Sequence, residues 1–334
     1  MTRPTPRAPT LHDVAREAGV AVSTASRALT LPDRVSAPTR AHVQEVARRL
    51  GYRPNRIARA LPSGRTSMLA VLVADITNPY HFGLIRGAEE QARAAGRTLV
   101  LGDTRGQAAL EAEHLDRLGS VVDGIVLASS RLPDADLVDL ARRRPLVLHN
   151  REVAGLPSVS TDVVDGVGQV VAHLAAWGHR DVAYLSGPRD AWSEQQRWAG
   201  LSLAAAAAGM TAGRLGPFPP TLEGGPPAAD AGLATGATAL LAFNDLLAIG
   251  VLRRLEERGV AVPGTVSVTG FDDVFGADFC HPPLTTVATP SEEAGRALVD
   301  VLLADRAPTD VPQRIVLPSA LRVRASTGAP RTAR

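Results

Sequence analysis

Residues 10–29 read TLHDVAREAGVAVSTASRAL. Thr10, followed three positions later by Asp13, resembles a capping box, with Asp standing in for Glu or Gln. Leu11, Val14, Ala15 and Ala18 then recur at the spacing of one helical face, and Gly19 is a good helix stop. A second helical pattern, VSTASRAL, occupies 22–29. Two short helices joined by a tight Gly-containing turn make a helix-turn-helix candidate. With Ala25 and Leu29 packed inward, Val22, Ser23, Ser26 and Arg27 are expected to face outward. Small and polar side chains at a helix N-terminus, with one Arg, suit reading of the DNA major groove. Arg27 matches the bidentate grip on guanine, and Thr24 and Ser26 suit phosphate or base contacts.

A third helix is expected from about Ser36 to Leu50, with Ser36 as N-cap, Val43, Val46, Ala47 and Leu50 as the apolar stripe, and Gly51 as the stop. Charge separates this head from the rest of the chain. Residues 1–66 hold twelve Arg against Asp13, Glu17, Asp33 and Glu45, a net of +8, so that with +2 overall the remainder carries −6. A small basic head on an acidic body points to a polyanionic partner. A solvated basic tail would show the same charge without the three-helix pattern.

Beyond the head, 334 residues leave room for a large body. Its apolar runs are MLAVLVAD (68–75), TLVLGDT (98–104), GIVLASS (124–130), PLVLHN (145–150), DVAYLSGP (181–188), ALLAFND (239–245) and VSVTGFDD (266–273). Continuous rather than alternating hydrophobicity indicates strands buried on both faces, as in a parallel sheet covered by helices. Helical patterns such as FGLIRGAEEQARAAG and DLLAIGVLRRLEERG intervene. More than 250 residues of repeated β-α units predict two similar subdomains. Nearly every run ends in a polar residue: Asp75, Asp103, Ser129, Asn150, Ser186, Asn244 and Asp272. Open parallel sheets bind ligands beyond the carboxyl ends of their strands, where Asp and Asn can hold hydroxyl groups. The alternative is that these residues only cap the following helices.

Taken together, TLHDVAREAGVAVSTASRAL and VSAPTRAHVQEVARRLGYRPNRIARAL resemble the head of a LacI/GalR-family transcription regulator. DITNPYHFGLIRGAEE, DGIVLASS, PLVLHNRE, GHRDVAYLSGP, FNDLLAIGVL, VSVTGFDD and PPLTTV carry the resemblance through the body; 211–238, rich in Gly, Pro and Ala, fits least and is expected to be irregular. The resemblance implies an α/β chain with an N-terminal three-helix helix-turn-helix domain (1–52), a hinge helix and linker (53–66), and a periplasmic-binding-protein-like sensing and dimerisation body of two doubly wound parallel-sheet subdomains (67–330). Subdomain one would comprise about 67–160 plus 290–317, and subdomain two about 161–289 plus 318–330. It implies that Val22 and Ser23 choose the operator, that Arg27 is a shared base or phosphate contact, and that Leu11, Ser36, Thr39, Asn55, Arg56 and Ala58 also meet DNA. The stretch NRIARALPSG (55–64) would hold the hinge helix, its Leu61 wedging into the minor groove and Pro62 stopping the helix behind it.

In the body the resemblance implies effector contacts at Asp75, Asn78, Asn150, Ser193, Arg197, Asn244 and Asp272, with Tyr80, Phe82 and Trp192 as an apolar or stacking wall. An Arg fork beside a carboxylate suits a polyhydroxylated ligand. The family departs from this sequence at Ala21, where a capping Ser is usual and whose loss costs a helix about 1 kcal/mol, and at Thr289, which stands where Gln is common.

Other functions are poorly served. Asp272–Asp273 would make a weak acid–base dyad, since neighbouring strand residues point to opposite faces. No G-x-S-x-G elbow or P-loop is present, and GVG at 166–168 sits in a helical pattern. The single cysteine, Cys280, has only His281 beside it, so no metal and no cofactor are expected. A periplasmic solute-binding protein would fit the body but not the basic head, and MTRPTPRAPT has no apolar core of a secretory leader. No apolar run reaches the roughly 18 residues of a membrane span. The reading is a cytoplasmic, non-enzymatic, homodimeric repressor, associated with the nucleoid when on its operator. Its partners would be double-stranded operator DNA and a sugar-like effector.

Overall fold

The computed structural model describes residues 9–30, 34–52, 66–119, 121–304 and 311–330. Asn55, Arg56, Ala58 and Leu61 of the expected hinge lie outside the described residues. The chain divides into two compact units, Met1–Thr66 and Ser67–Arg334.

In the head, α1 spans Leu11–Glu17, α2 Val22–Thr30 and α3 Ala37–Arg49. The capping box at α1 is complete: the Thr10 amide donates to Asp13 Oδ2 at 2.9 Å and the Asp13 amide to Thr10 Oγ1 at 3.4 Å. Gly19 takes the left-handed φ of +64° that lets the chain turn sharply into α2. Val14, Ala25, Ala28, Val43 and Val46 form the centre of a small core, and Arg49 ties α3 to α1 through Glu17 at 2.8 Å. Ser36 is the N-cap residue of α3, but its hydroxyl bonds Thr39 Oγ1 rather than a helix amide. Val22 faces outward only in part. Val22 packs half-buried against the core, because positions 22, 25 and 29 are spaced i, i+3, i+7 and share one face.

The body contains β1 (Met68–Val73), α4 (Tyr80–Ala94), β2 (Thr98–Asp103), α5 (Ala108–Leu118), β3 (Gly124–Ala128), α6 (Asp134–Arg143), β4 (Leu146–His149) and β5 (Ser158–Thr161). Then come α7 (Val163–Trp177), β6 (Asp181–Leu185), α8 (Trp192–Ala207), β7 (Thr211–Leu215), α9 (Gly225–Ala234), β8 (Ala239–Ala242), α10 (Asp245–Glu257) and β9 (Ser267–Thr269). The last elements are β10 (Thr286–Ala288), α11 (Ser291–Leu303), β11 (Arg314–Leu317) and β12 (Ala320–Arg322). One sheet has the order β11-β5-β4-β3-β1-β2, a second β7-β6-β8-β9, and every pairing in both is parallel. β10 and β12 form a separate antiparallel pair.

The apolar runs explain this arrangement. β1 and β3 are buried almost throughout, as strands covered by helices on both faces must be. The chain crosses between the two lobes three times. β5 of the first sheet leads into α7, which packs in the second lobe's core with Tyr184 and Leu201. β10 is followed by α11, whose Ala294 and Leu298 enter the first lobe's core. β11 joins the first sheet three residues before β12 begins.

Residues 211–238 are more regular than expected, with loops at 216–221 and 235–238. They form β7, a 3₁₀ turn at Leu222–Gly224 and α9. Pro226 and Pro227 sit in the first turn of α9, where no amide hydrogen is needed, while Pro217, Pro219 and Pro220 lie in the loop between β7 and the 3₁₀ turn. Gly225 is required for packing: a Cβ there would lie 2.1 Å from the carbonyl carbon of Gly250 in α10.

Candidate functional site

A cavity of about 550 Å³ opens between the carboxyl ends of the two sheets, within the usual size range of small-molecule sites. The first lobe lines it with Asp75, Asn78, Tyr80 and Asn150, and the second with Ser193, Arg197, Asn244 and Asp272. Of the polar residues ending the strands, only Ser186 stays out of it, buried beneath. Asn244 serves both readings offered for such residues. Its Oδ1 caps α10 by accepting the Leu247 amide at 3.0 Å, while the residue also faces the cavity.

Arg197 and Asp272 form the central pair, Nη2 donating to Oδ1 at 3.0 Å. The guanidinium lies between the rings of Phe271 and Phe243, 3.9 and 4.5 Å from their centroids, and Nη1 donates to the Phe243 carbonyl. Cation–π contact and the ion pair together hold the fork rigid. Burial, helped by nearby Asp245 and opposed by Arg197, pushes Asp272 up to about 7. Asp245 itself, at the start of α10, is pushed by burial up to about 6. It accepts from the Val274 amide at 2.8 Å and from Thr286 Oγ1 at 2.5 Å, fixing the loop that carries Asp272.

On the opposite wall, His149 Nδ1 lies 2.9 Å from the Val159 carbonyl, which can only accept. Nδ1 therefore carries the proton, and Nε2 accepts from the Tyr80 hydroxyl at 2.8 Å. The same hydroxyl accepts from Asn150 Nδ2 at 2.8 Å. Burial depresses His149 to about 4 and His81 likewise to about 4. Both stay neutral, so these two histidines offer orientation rather than charge.

Four cavity residues, Arg105, Ser129, Asn150 and Asp272, adopt positive φ of 50°, 60°, 48° and 115°. Such strain in non-glycine residues clusters at functional sites.

Phe82 and Trp192 do not line the cavity. Phe82 lies on α4 two residues past Tyr80, about 200° around the helix, and is half exposed. Trp192 precedes Ser193 on α8 and is rotated off the face that Ser193 and Arg197 share at i, i+4. Asp272 and Asp273 are not strand residues, since β9 ends at Thr269. They still diverge, Asp272 to Arg197 and Asp273 to Arg324 at 2.7 Å. Thr289, in the second crossing segment, donates to the Asp272 carbonyl at 3.4 Å. Arg105, Arg131, Pro220 and Thr221 line the cavity without having been singled out from the sequence; they lie in loops beyond the strand ends, where neither periodicity nor burial marks them. Among the described residues no group of three or more His, Cys, Asp and Glu is placed to hold a metal ion.

In the head, Ser23 and Arg27 are exposed on α2, and Thr24 and Ser26 half-exposed beside them. Leu11 and Thr39 are half-buried and Ser36 exposed.

The model of bacterial regulatory proteins of the lacI family matches residues 10–55, and that of the periplasmic binding protein-like domain residues 171–327. The HTH-type transcriptional repressor CytR of Escherichia coli (strain K12) is 33% identical over 306 residues, covering 89% of each chain. This chain belongs to the LacI family of bacterial regulatory proteins. PtxS of Pseudomonas plecoglossicida, another HTH-type transcriptional regulator, is 33% identical across 95% of both chains. The crystal structure of the lac repressor dimer bound to operator and the anti-inducer ONPF superimposes with a TM-score of 0.85 at 28% identity, over 97% of this chain and all of that one. The α/β architecture expected from the sequence, a helix-turn-helix head and two parallel-sheet lobes, is thus that of the LacI family. The chain is a DNA-binding transcriptional regulator rather than an enzyme.

Proposed function

We propose that this LacI-family chain is a repressor that binds a pseudo-palindromic operator as a homodimer and is released or tightened by a sugar-like effector in the cleft. The observation that carries the reading is the cleft itself. Polar strand ends from two lobes converge on a buried Arg–Asp pair, in the same chain as a basic head with an outward-facing α2. The lac repressor match was solved as a dimer on operator DNA, and a transcriptional regulator CelR with TM-score 0.69 and 31% identity was solved with cellobiose. The three crossing segments, at 162, 289–290 and 318–319, form the hinge about which the lobes close. Closure would couple the cleft to the hinge helix and heads, a coupling between distinct sites.

The site assignments follow. Ser23, Thr24, Ser26 and Arg27 read the groove with Val22 supporting from beneath, and Leu11, Ser36 and Thr39 flank them. Asn55, Arg56, Ala58 and Leu61 belong to the hinge contact. Asp75, Asn78, Tyr80, Asn150, Ser193, Arg197, Asn244 and Asp272 hold the effector. An apolar patch supports the homodimer: Phe275 and Phe279 are 78% and 66% exposed, pack edge to face at 5.0 Å, and border a groove lined by Leu246, Ile249 and Leu252. A patch of that kind marks a protein interface. No helix among the described residues is long and apolar enough to cross a membrane, and the reading places the protein in the cytoplasm, on the nucleoid when DNA-bound.

A thermal-shift screen of sugars and nucleosides, with each hit assayed for its effect on operator affinity, tests the proposal. Removing residues 1–64 should abolish operator binding and preserve the thermal shift. Operator binding that survives the deletion, or turnover of the bound ligand, would refute it.

A further inference from the structure

Arg131 lines the cleft just past β3 and carries donors that the protein does not satisfy. Its side chain is only 11% exposed, and burial lowers its basicity against nearby carboxylates. Nε and Nη1 are buried without a hydrogen-bond partner. The nearest carboxylate is Asp190 of the other lobe, 3.5 Å from Nη1, on a side chain 71% exposed. That distance is beyond a good hydrogen bond, so Asp190 pairs with the guanidinium by charge and leaves those donors without a hydrogen-bond acceptor. Glu111 uses Oε2 to accept the Arg131 backbone amide at 2.9 Å; its charge lies near the guanidinium, but no hydrogen bond joins the two side chains. The cavity's acids are better provided. Asp75 Oδ1 accepts from the Thr77 amide and hydroxyl at 2.8 and 2.6 Å, and Asp272 from Arg197. Arg105, also in the cavity, makes no side-chain hydrogen bond among the described residues. A desolvated guanidinium with unmet donors is a costly arrangement unless an acceptor completes it.

We infer that the effector is an acidic sugar derivative whose anionic group docks on Arg131 in place of Asp190, while its hydroxyl groups face Asp75 and Asp272. The chemistry shared by a carboxylate and a phosphate ester, two or more oxygens matched to a guanidinium fork, defines the class. Asp190 is the internal stand-in that holds the site when no ligand is present. This inference rests on the cleft being the effector site.

The test is calorimetric titration of the full-length protein with matched probes: glucose, gluconate and glucose 6-phosphate, and ribose with ribose 5-phosphate. The charged member of at least one set should bind tenfold or more tighter than its neutral parent, about the scale of one charge-assisted hydrogen bond. Whether gluconate or the phosphates win separates carboxylate from phosphate. Arg131→Gln should collapse the ratio between charged and neutral probes towards unity. Asp190→Asn, an exposed change with no demand on folding, should raise affinity for the charged probe only. Equal affinity of charged and neutral probes, absence of binding by every charged probe, or an unchanged ratio in Arg131→Gln overturns the inference. Failure of the cleft reading shows differently: Arg197→Met would then leave the affinity of any binding probe untouched.

Discussion

Arg197 and Asp272, 75 residues apart in the chain, meet in a 3.0 Å hydrogen bond with side chains only 7% and 8% exposed. The lone removal of either partner leaves a buried charge unmatched, which costs about 3–5 kcal/mol. Arg197→Met therefore lowers the urea midpoint of the body and abolishes effector binding. The double variant Arg197→Met/Asp272→Leu removes both charges and should recover most of the stability while binding stays lost. Equilibrium unfolding and ligand titration of the three proteins check both halves. Binding restored in the double variant would show that the pair is only structural.

The buried titratable groups in and behind the cleft pull stability in opposite directions with pH. His81 and His149 fall from 6.5 to about 4 in the folded protein, so the unfolded chain binds more protons between those values. Their contribution is present above 6.5 and is lost as pH falls towards 4. Asp245 and Asp272 rise from 3.8 to about 6 and about 7, so the folded chain binds more protons there, and their contribution is lost as pH rises through that window. Between pH 4 and 6.5 the slopes oppose and the profile is shallow. Asp272→Asn should tilt it, making acid more destabilising, and His149→Gln should tilt it the other way. Urea unfolding at pH 5 and pH 6.5 reads the difference; parallel shifts in the two variants would contradict the assignment.

The pattern of legibility follows the same physics. MLAVLVAD and GIVLASS announce buried parallel strands because both faces must be apolar. Ser158–Thr161 forms β5 with its serines buried, yet its composition is that of a loop, and only its place between β4 and β11 makes it a strand. The strand-end residues Asp75, Asn150 and Asp272 were legible because sheet topology fixes where ligands bind. Arg131 was not, since its significance lies in unmet hydrogen bonds that no spacing encodes. Phe82 and Trp192 were misplaced by one or two residues along a helix, enough to turn a side chain away from the cleft. Val22 differs in the opposite sense, its side chain partly packed at the edge of the apolar stripe of α2.

Helices α4 and α11 cross with glycine on both sides. A Cβ at Gly87 would lie 1.9 Å from the Glu292 carbonyl oxygen, and one at Gly295 would lie 2.1 Å from that of Leu84. Both obstacles are backbone, so no side-chain rotation relieves them. Gly87→Ala should destabilise the body by about 1–3 kcal/mol, the usual scale of overpacking, despite the higher helix propensity of alanine. Because α11 follows the second crossing segment, the variant should also change effector affinity. A midpoint equal to that of the parent would mean that the crossing opens freely.

Arg27 is exposed on α2 and bears no weight in the head's core, so its replacement tests DNA reading without threatening the fold. A bidentate contact to guanine is worth about 1–3 kcal/mol, and Arg27→Ala should weaken operator binding by about ten- to a hundredfold while relaxing base preference at one symmetric position in each half-site. Leu61→Ala should weaken the operator complex through the central step alone and leave the half-site preferences as they were. Neither change should affect the thermal shift produced by effector. The logarithm of affinity should fall linearly with the logarithm of salt concentration, with a slightly smaller slope in Arg27→Ala if that side chain also neutralises a phosphate. Gel-shift titrations over a set of single-base operator variants at two salt concentrations resolve these outcomes. A parent protein whose binding is nearly independent of salt would remove the basis for assigning the basic head to DNA.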